Sequence, residues 1–520
     1  MKDNPAFAGQ KELFGHPIGL FILFLTEMWE RFSYYGMRAI LVLYLVSTTA
    51  GDNPGLGWTE GDAYALYGWY TMFVYVASIP GGILADKFLG QKKAVYLGGI
   101  FLCLGHGILA IEAPWAFYTG LFLIVLGVGC LKPNISTMVG GLYPKGDQRR
   151  DMGFYIFYMG INLGAAISAI AVGYVGENIG WHYGFGMAGI GMVIGQLTYM
   201  WGQKYLTHVG NLVVAEDGKE LDRPSLIMDI FKHKNSLIGF LISAALSAYV
   251  WISAGWSYGA LVLGIAFAVG IGIVIYNDGN KVEKDRILVT YLSFLIIIVF
   301  WGSFEQAGGL LNVYAKNKTN LSLGGFDVPA SWFQSVNAIF ILVFATLVGL
   351  FWGWWKTRGR ESSSLFKMAI GVVIMGWGFL FMSQASMEVT YDAAGEILNK
   401  SGMHWLVLAY LFHTIGELCA SPVALSFITK LAPERWVAFM MGAYFAATGL
   451  GNKVAGLLGE WSGSLGEFKI FTGIAVFCTI FGILVILIIK PLKRLTHGAE
   501  DDIIEGLQAE GFDLADQEIT

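Results

Sequence analysis

The chain has 520 residues, of which 55% are hydrophobic and only 14% are charged. Because soluble proteins usually carry about 25% charged residues, this composition excludes an ordinary soluble enzyme and indicates a protein embedded in the lipid bilayer. The net charge of −5 carries no information about nucleic acid, but no basic run resembles a nucleic-acid patch, so we expect no nucleic-acid partner. All four cysteines lie inside apolar segments, which predicts free thiols and no disulfide framework.

Fourteen apolar segments, each long enough to cross a bilayer as a helix, follow one another along the chain. The first six are predicted at 17–46, 62–83, 94–111, 115–141, 152–176 and 183–203. A polar stretch at 204–235 precedes two more, at 236–255 and 258–276. The last six are predicted at 287–311, 332–355, 365–384, 403–427, 435–459 and 468–489. No small-residue cleavage site follows the first apolar run, so we expect that segment to be retained.

These segments predict an all-α membrane protein with four regions. An N-terminal six-helix bundle is expected at 1–203, and a linker with two extra transmembrane helices at 204–286. A C-terminal six-helix bundle is expected at 287–494, followed by a disordered acidic tail at 495–520. Most of the 33 Lys and Arg residues fall in loops on the side of the N-terminus. This bias predicts that both termini are cytoplasmic and that the number of crossings is even.

The first apolar segment carries charged residues at helical spacing. At 100° per residue, one face holds Glu27, Glu30, Arg31, Tyr34 and Arg38. An isolated charge in hydrocarbon costs several kcal/mol, so this face must meet water, a partner charge or a ligand. A structural cluster of ion pairs would satisfy the same pattern, but four charges and a phenol on one face favour a functional pathway.

The loop after the second segment reads Gly82-Ile-Leu-Ala-Asp86-Lys87-Phe-Leu-Gly90-Gln-Lys92-Lys93. It resembles the signature loop of the major facilitator superfamily, in which an Asp and basic residues form a cytoplasmic latch, here Asp86 and Lys87. The corresponding loop of the second half, at 354–360, matches this motif in part but lacks the Asp. The first helix of each half carries a glutamate, Glu30 or Glu305. These repeated features indicate two related halves with a ligand site between them near the bilayer midplane.

Five further motifs resemble those of the proton-dependent oligopeptide transporter (POT/PTR) family. They lie in the first, fourth, fifth, seventh and tenth helices of the two halves, so the resemblance covers nearly the whole chain. In order they read Glu27-x-x-Glu30-Arg31-Phe-x-Tyr34-Tyr35-Gly36, Gly129-Cys-Leu-Lys132-Pro133-Asn134, Phe157-Tyr158-Met-Gly-Ile161-Asn162-Leu-Gly164, Phe304-Glu305-Gln306 and Gly416-Glu417-Leu-x-x-Ser421-Pro422.

The resemblance implies a proton-coupled symporter, not an enzyme, that imports di- and tripeptides by alternating access. It implies the major facilitator fold and a location in the inner membrane of a bacterium. Beyond the bilayer and the peptides it implies no obligatory protein partner, and it implies no metal or other cofactor, with protons as the coupling ion.

The resemblance also implies which residues bind the peptide. Arg38 and Lys132 would hold the carboxylate and Glu417 the amine, while Asn162 and Asn337 would bond the backbone. The remaining substrate-binding positions are Tyr34, Tyr35, Tyr67, Glu305 and Ser421, with Trp301 and Tyr444 as further pocket walls. Each has a structural alternative: Lys132 beside Pro133 as a structural cation, the asparagines as bonds between helices, the aromatics as packing. We expect Lys453 to extend towards the outer surface.

Proton coupling is assigned to Glu27, Glu30, Arg31 and Glu305. We expect the first three to form a mixed cluster near Lys132. We also expect Glu305 to bridge to Arg38 across the outer mouth, where protonation would release the bridge.

Three positions depart from the family pattern: Gly68 where some members have a histidine, Ala338 after Asn337 in place of a proline, and Tyr444 in place of a tryptophan. A transporter of nitrate or another small anion is the alternative within the family, but the Glu-x-x-Glu-Arg motif and Glu417 favour a ligand with an amine. A membrane hydrolase is disfavoured because no membrane segment carries a hydrolase motif such as His-Glu-x-x-His. A peptide sensor that does not transport stays open.

Overall fold

The computed structural model describes residues 10–144, 147, 149–212, 234–433 and 436–499. The predicted acidic tail from residue 500 onward, and 213–233 of the predicted linker, lie outside these residues. In the first half the helices are α1 (Ile18–Val46), α2 (Glu60–Val76), α3 (Ser78–Leu84), α4 (Gln91–Leu109), α5 (Pro114–Gly141), α6 (Arg149–Asn178) and α7 (Trp181–Gly202).

The helices of the remaining chain follow the predicted order. They are α8 (Lys234–Ala254), α9 (Trp256–Asp278), α10 (Lys281–Phe304), α11 (Leu310–Lys318), α12 (Phe333–Thr357), α13 (Ser364–Glu388), α14 (Met403–Leu431), α15 (Val437–Leu465), α16 (Glu467–Leu487) and α17 (Ile489–Leu495). Within the described residues, nine helical stretches are long and apolar enough to cross a membrane. The count of fourteen crossings stays a prediction.

Short strands occur only at the ends of helices in the described part of the chain. The antiparallel pairs are β1 (Glu12–Leu13) with β2 (His16–Pro17), β4 (Ser322–Leu323) with β5 (Phe326–Asp327), and β6 (Thr390–Tyr391) with β7 (Ile397–Asn399). Strand β3 (Thr319–Asn320) pairs in parallel with β8 (Ser401–Gly402).

The described chain clusters into two compact units. The first has the bounds 1–213, 295–424 and 444–487, and the second 214–294, 425–443 and 488–520. In the second unit α8 packs against α9, where the Ser247 hydroxyl donates to the Gly259 carbonyl oxygen at 2.6 Å. Arg286 Nε donates to the Thr496 carbonyl oxygen at 3.0 Å in the same unit. The candidate site lies wholly in the first unit.

Glycines let α6 and α7 approach the charged helix α1 closely. A Cβ on Gly164 would lie 2.2 Å from the Met28 carbonyl oxygen, and one on Gly191 would lie 2.5 Å from the Phe32 ring. Small residues permit such backbone approach in membrane proteins. The polar side of α1 is therefore enclosed by protein, and Glu27, Glu30 and Arg31 are buried.

Two interrupted helices set the positions of the site residues. Helices α2 and α3 are followed by a π-helical turn at Ala85–Leu89, which ends at Gly90. Gly90 has a φ of 77°, a backbone conformation that glycine adopts without strain. Helix α10 ends at Phe304, and a single 3₁₀ turn at Glu305–Ala307 separates it from α11. Interruptions of this kind at membrane depth occur where the chain is buried in protein or lines a cavity.

The crossing of α3 and α5 is a tight backbone contact that generates a prediction about stability. A Cβ on Gly81 would lie 2.0 Å from the Gly129 carbonyl oxygen, whereas one on Gly82 would have nothing within 4 Å. We expect Gly81→Ala to lower the free energy of unfolding by about 1–3 kcal/mol or more through overpacking. Gly82→Ala, the matched control, should leave thermal unfolding in detergent nearly unchanged. Equal midpoints for the two variants would contradict this packing.

Candidate functional site

An ion pair joins the first helix of one half to the first helix of the other. Arg38 Nη1 lies 3.1 and 3.0 Å from the two carboxylate oxygens of Glu305, and the Tyr67 hydroxyl donates to Glu305 Oε2 at 2.9 Å. All three residues are buried, with 7%, 2% and 1% of their surface exposed. The structure thus brings Arg38 and Glu305 together with Tyr67 as a third member.

The interruption after α10 places Glu305 at this point. Glu305 is the first residue of the single 3₁₀ turn, and Gly308, which follows the turn, packs against the Tyr67 side chain. A Cβ at Gly308 would lie 2.0 Å from the Tyr67 hydroxyl oxygen, so only glycine fits. Arg38 Nη2 donates to Gln334 Oε1 at 3.4 Å, and the Arg38 guanidinium lies 4.9 Å from the Tyr35 ring centre.

A second charged cluster lies about two to three turns before Arg38 on α1. Arg31 forms ion pairs with Glu27, at 3.1 Å, and with Glu30. Glu30 Oε1 and Glu27 Oε2 are buried and accept no hydrogen bond from the described residues. The Arg31 guanidinium also lies over the rings of Tyr34 and Tyr35, at 5.6 and 5.8 Å. Two carboxylates therefore share one guanidinium in a buried site, an arrangement in which one carboxylate can take up a proton.

Lys132 lies outside this ion-paired cluster. Its ammonium lies 3.7 Å from the centre of the Tyr75 ring and 5.9 Å from that of Phe445. Among the described residues it forms no ion pair. Its half-buried ammonium interacts electrostatically with Glu27 and Glu30 but makes its direct contact with the face of an aromatic ring, so the mixed cluster near Lys132 stays a prediction.

Glu417 is held by an amide from a neighbouring helix. Asn337 Nδ2 donates to Glu417 Oε2 at 2.9 Å and to the Thr414 hydroxyl at 3.0 Å, which joins α12 to α14. Within the described chain no cation pairs with Glu417. Asn162 is not part of this group, because its Nδ2 donates to the Tyr158 carbonyl oxygen on its own helix at 3.0 Å.

The remaining predicted positions are distributed over the first unit. Ser421 lines a small cavity with Trp301 and Tyr444, and the Tyr34 ring meets the Tyr35 ring edge to face at 5.5 Å. Asp86 and Lys87 are both exposed in the π-helical turn, remote in sequence from every other site residue.

Lys453 is buried, with 1% of its surface exposed, and does not reach an open surface. Its ammonium lies 3.0 Å from Glu460 Oε1 and 5.1 Å from the centre of the Trp69 ring.

A set of contacts between the halves was not predicted. Glu177 at the end of α6 accepts hydrogen bonds from the Ser331 N–H at 2.9 Å and hydroxyl at 2.7 Å, and from Lys316 at 2.8 Å. Close by, three side-chain donors meet backbone carbonyl oxygens of the other half: Trp332 to Ile170 at 3.0 Å, Ser335 to Ala166 at 2.7 Å and Asn312 to Ala39 at 2.8 Å. We name these six contacts the interhalf seal. A glutamate and a serine at helix ends are common, so the sequence carries no distinguishing signal for them.

Comparison with known proteins gives a consistent result. The family model described as the POT family matches residues 92–462. The chain is 39% identical to an uncharacterized transporter, YclF, of Bacillus subtilis, over 94% of this chain and 97% of that protein. It is 36% identical to a di-/tripeptide transporter of Lactococcus lactis subsp. cremoris, over 94% and 98% of the two chains. A crystal structure of the peptide transporter POT in complex with sulfate superposes with a TM-score of 0.79 at 35% identity, covering 94% and 97%.

The buried and exposed ion pairs between the halves allow a paired test. Glu305→Gln leaves Arg38 buried without its counter-charge, so we expect the free energy of unfolding to fall by about 3–5 kcal/mol. Lys316→Gln removes a cation that is 43% exposed and should cost about 1 kcal/mol or less. Thermal unfolding of the two variants in the same detergent measures the difference. Similar shifts for both would mean that the Arg38–Glu305 pair is not dry.

Proposed function

Because this chain belongs to the POT family and is a peptide transporter, we propose that it imports di- and tripeptides together with protons by alternating access. The matches along nearly its whole length confirm the family resemblance and the major facilitator fold predicted from the sequence. They also identify the chain as an integral membrane protein of a transporter family. Proton coupling, peptide length and the direction of transport belong to the proposal.

One observation carries the proposal about substrate. Lys132 in the first half and Glu417 in the second half are opposite charges, and neither is ion-paired among the described residues. A short peptide is a zwitterion whose carboxylate and amine could satisfy one charge each. A bare anion such as nitrate has no amine with which Glu417 could pair. The two unpaired charges therefore favour a ligand that has both a carboxylate and an amine. The ligand would then draw the halves together by its own charges.

A site that accepts many peptides must bind the groups that all peptides share and not particular side chains. Asn337 has an amide oxygen that could accept a hydrogen bond from the peptide backbone while its two N–H groups donate to Glu417 and Thr414. The aromatic side chains around Ser421, namely Trp301 and Tyr444, offer apolar surface for varied side chains. Asn162 would join the site only after releasing its bond to Tyr158.

Coupling would run through the ion pair at Glu305. In this structure the pair, Tyr67 and the interhalf seal join the two halves. A proton on Glu305 would cancel its charge, free Arg38 for the peptide carboxylate and weaken the contact between the halves. The Glu27–Glu30–Arg31 cluster would take a second proton in the same way, and relaxation of both would let the halves rock.

The driving force would be the inward proton gradient. A zwitterionic peptide has no net charge, so each accompanying proton moves one positive charge inward. The membrane potential then adds about 2.3 kcal/mol per charge per 100 mV. We further propose that the protein lies in the bacterial inner membrane with both termini in the cytoplasm, as the distribution of lysine and arginine indicates. No cofactor other than the proton enters this scheme.

Coupling is tested in proteoliposomes with an imposed pH gradient. We expect Glu27→Gln and Glu30→Gln to abolish uphill uptake of labelled dialanine, because neither position can then bind a proton, while exchange across the membrane continues. Glu112→Gln, which changes an exposed glutamate, is the control and should leave uptake intact. Concentrative uptake at the normal level in both cluster variants would remove the cluster from the coupling route. Absence of exchange by the unaltered protein would favour a sensor over a transporter.

Binding is tested separately from transport. Arg38→Ala and Glu417→Ala each remove one charged partner of the peptide, so we expect affinity for dialanine to fall about tenfold or more, as measured by calorimetry. The control Glu396→Ala alters an exposed carboxylate far along the loop and should bind normally. Dialanine carrying an amidated C-terminus should be insensitive to Arg38→Ala and sensitive to Glu417→Ala. An unchanged affinity for either variant would exclude that residue from the site.

A further inference from the structure

A groove of about 510 Å³ lies in the first unit, apart from the candidate site. It is formed where the π-helical turn, the first turns of α4, the end of α7 and the segment 203–212 meet. Its lining includes Lys92, Lys93, Gln203 and Asn211. Among the described residues, none of those that line it is acidic, and neither lysine forms an ion pair. The groove is therefore a concentration of positive charge without a counter-charge from its own walls.

The backbone around the lysines is fixed by hydrogen bonds. The Lys92 N–H donates to the Gly210 carbonyl oxygen at 2.8 Å, and the Tyr199 hydroxyl donates to the Lys92 carbonyl oxygen at 2.9 Å. Gly90 adopts a φ of 77° and lies against the backbone at Leu212, with a Cβ position only 2.6 Å from the Leu212 nitrogen. The groove is thus preformed, and binding a ligand there requires little ordering of the backbone.

The rim of the groove is apolar and exposed. Phe88, Tyr96 and Met200 line it with 67%, 38% and 46% of their surface exposed. Beside it Lys204 lies over the rings of Trp201 and Tyr205, at 4.5 and 5.1 Å. Aromatic residues together with lysines are typical of the headgroup level of a membrane protein. The lysines therefore face the depth at which lipid phosphates lie, with apolar surface for acyl chains next to them.

We propose that this groove binds the headgroup phosphate of an anionic phospholipid. Lys92 and Lys93 pair with the phosphate, Gln203 and Asn211 offer hydrogen bonds to the headgroup, and the acyl chains lie along Tyr96 and Met200. The basic charge selects an anionic lipid, and the apolar rim selects a lipid over free phosphate. This site is independent of peptide transport, so neither proposal depends on the other.

The test is native mass spectrometry of the full chain in detergent, titrated with short-chain phosphatidylglycerol or with phosphatidylcholine. We expect phosphatidylglycerol to bind more tightly. At about 1 kcal/mol per lysine, the double variant Lys92→Gln with Lys93→Gln should lose about 30-fold in that affinity. The arginine pair, Lys92→Arg with Lys93→Arg, should retain it, which separates lost charge from misfolding. The matched control, Lys430→Gln with Lys490→Gln, removes two exposed lysines elsewhere and should bind normally.

Two results would overturn the proposal. The first is equal phosphatidylglycerol affinity in the unaltered protein and the Lys92/Lys93 glutamine variant. The second is complete displacement of the lipid by inorganic phosphate at a concentration similar to that of the lipid, which would identify a free anion as the ligand. Failure of phosphate to compete, together with a higher thermal unfolding midpoint in vesicles with phosphatidylglycerol than in pure phosphatidylcholine, would support the lipid.

Discussion

The ion pair between Arg38 and Glu305 is the constraint on which the contact between the two halves depends. Two opposite charges are buried on different halves of the chain, and each is tolerable there only because the other is present. Hydrogen bonds from Tyr67 and to Gln334 complete the group. An interaction of this type is costly when one partner is removed, because the other charge is then left buried and unpaired. It therefore suits a contact that is either complete or absent.

The same rule explains the arrangement of the other charges. Arg31 serves two carboxylates, Lys132 lies over an aromatic face, and Glu417 is held by a neutral amide. Lys132 and Glu417 have no ion-pair partner among the described residues, and the two carboxylates at Arg31 share one cation, in contrast to Glu305. The protein thus keeps one balanced pair and several unbalanced charges in the same buried region. A charged ligand finds a partner without a counter-charge only at the unbalanced ones, whereas a proton on Glu305 would have to release Arg38.

Many of the site residues could be predicted from the sequence, because a charged side chain in an apolar segment must meet water, a partner charge or a ligand. The stripe on α1, Glu305 and Glu417 stand out as carboxylates and guanidiniums at membrane depth, and the opposite signs of Arg38 and Glu305 predict their contact. The helices were also predictable, since apolar runs of bilayer length leave the backbone no alternative to a helix. The interruption at Glu305, by contrast, has only two glycines, Gly308 and Gly309, as its signal.

What the sequence could not predict depends on how helices are placed against one another. Lys132 on α5 contacts the ring of Tyr75 on α2, a pair that the sequence does not indicate. Glu177 meets Ser331 although 154 positions separate them. Asn337 is an ordinary amide until its helix is placed beside Glu417. Each of these contacts is fixed by a crossing of two helices, and a crossing leaves no periodic pattern in the residues.

The crossing of α2 and α15 has a consequence of its own. A Cβ on Gly68 would lie 3.0 Å from the Gly456 α-carbon and 3.4 Å from Lys453 Cδ. Bare backbones from the two halves thus touch at this point, and the volume that a side chain at position 68 would occupy is filled from the opposite helix by the stem of Lys453. The two positions form a complementary pair in size, so a larger residue at 68 would require a shorter one at 453, and substitutions at the two should be tolerated together more readily than alone.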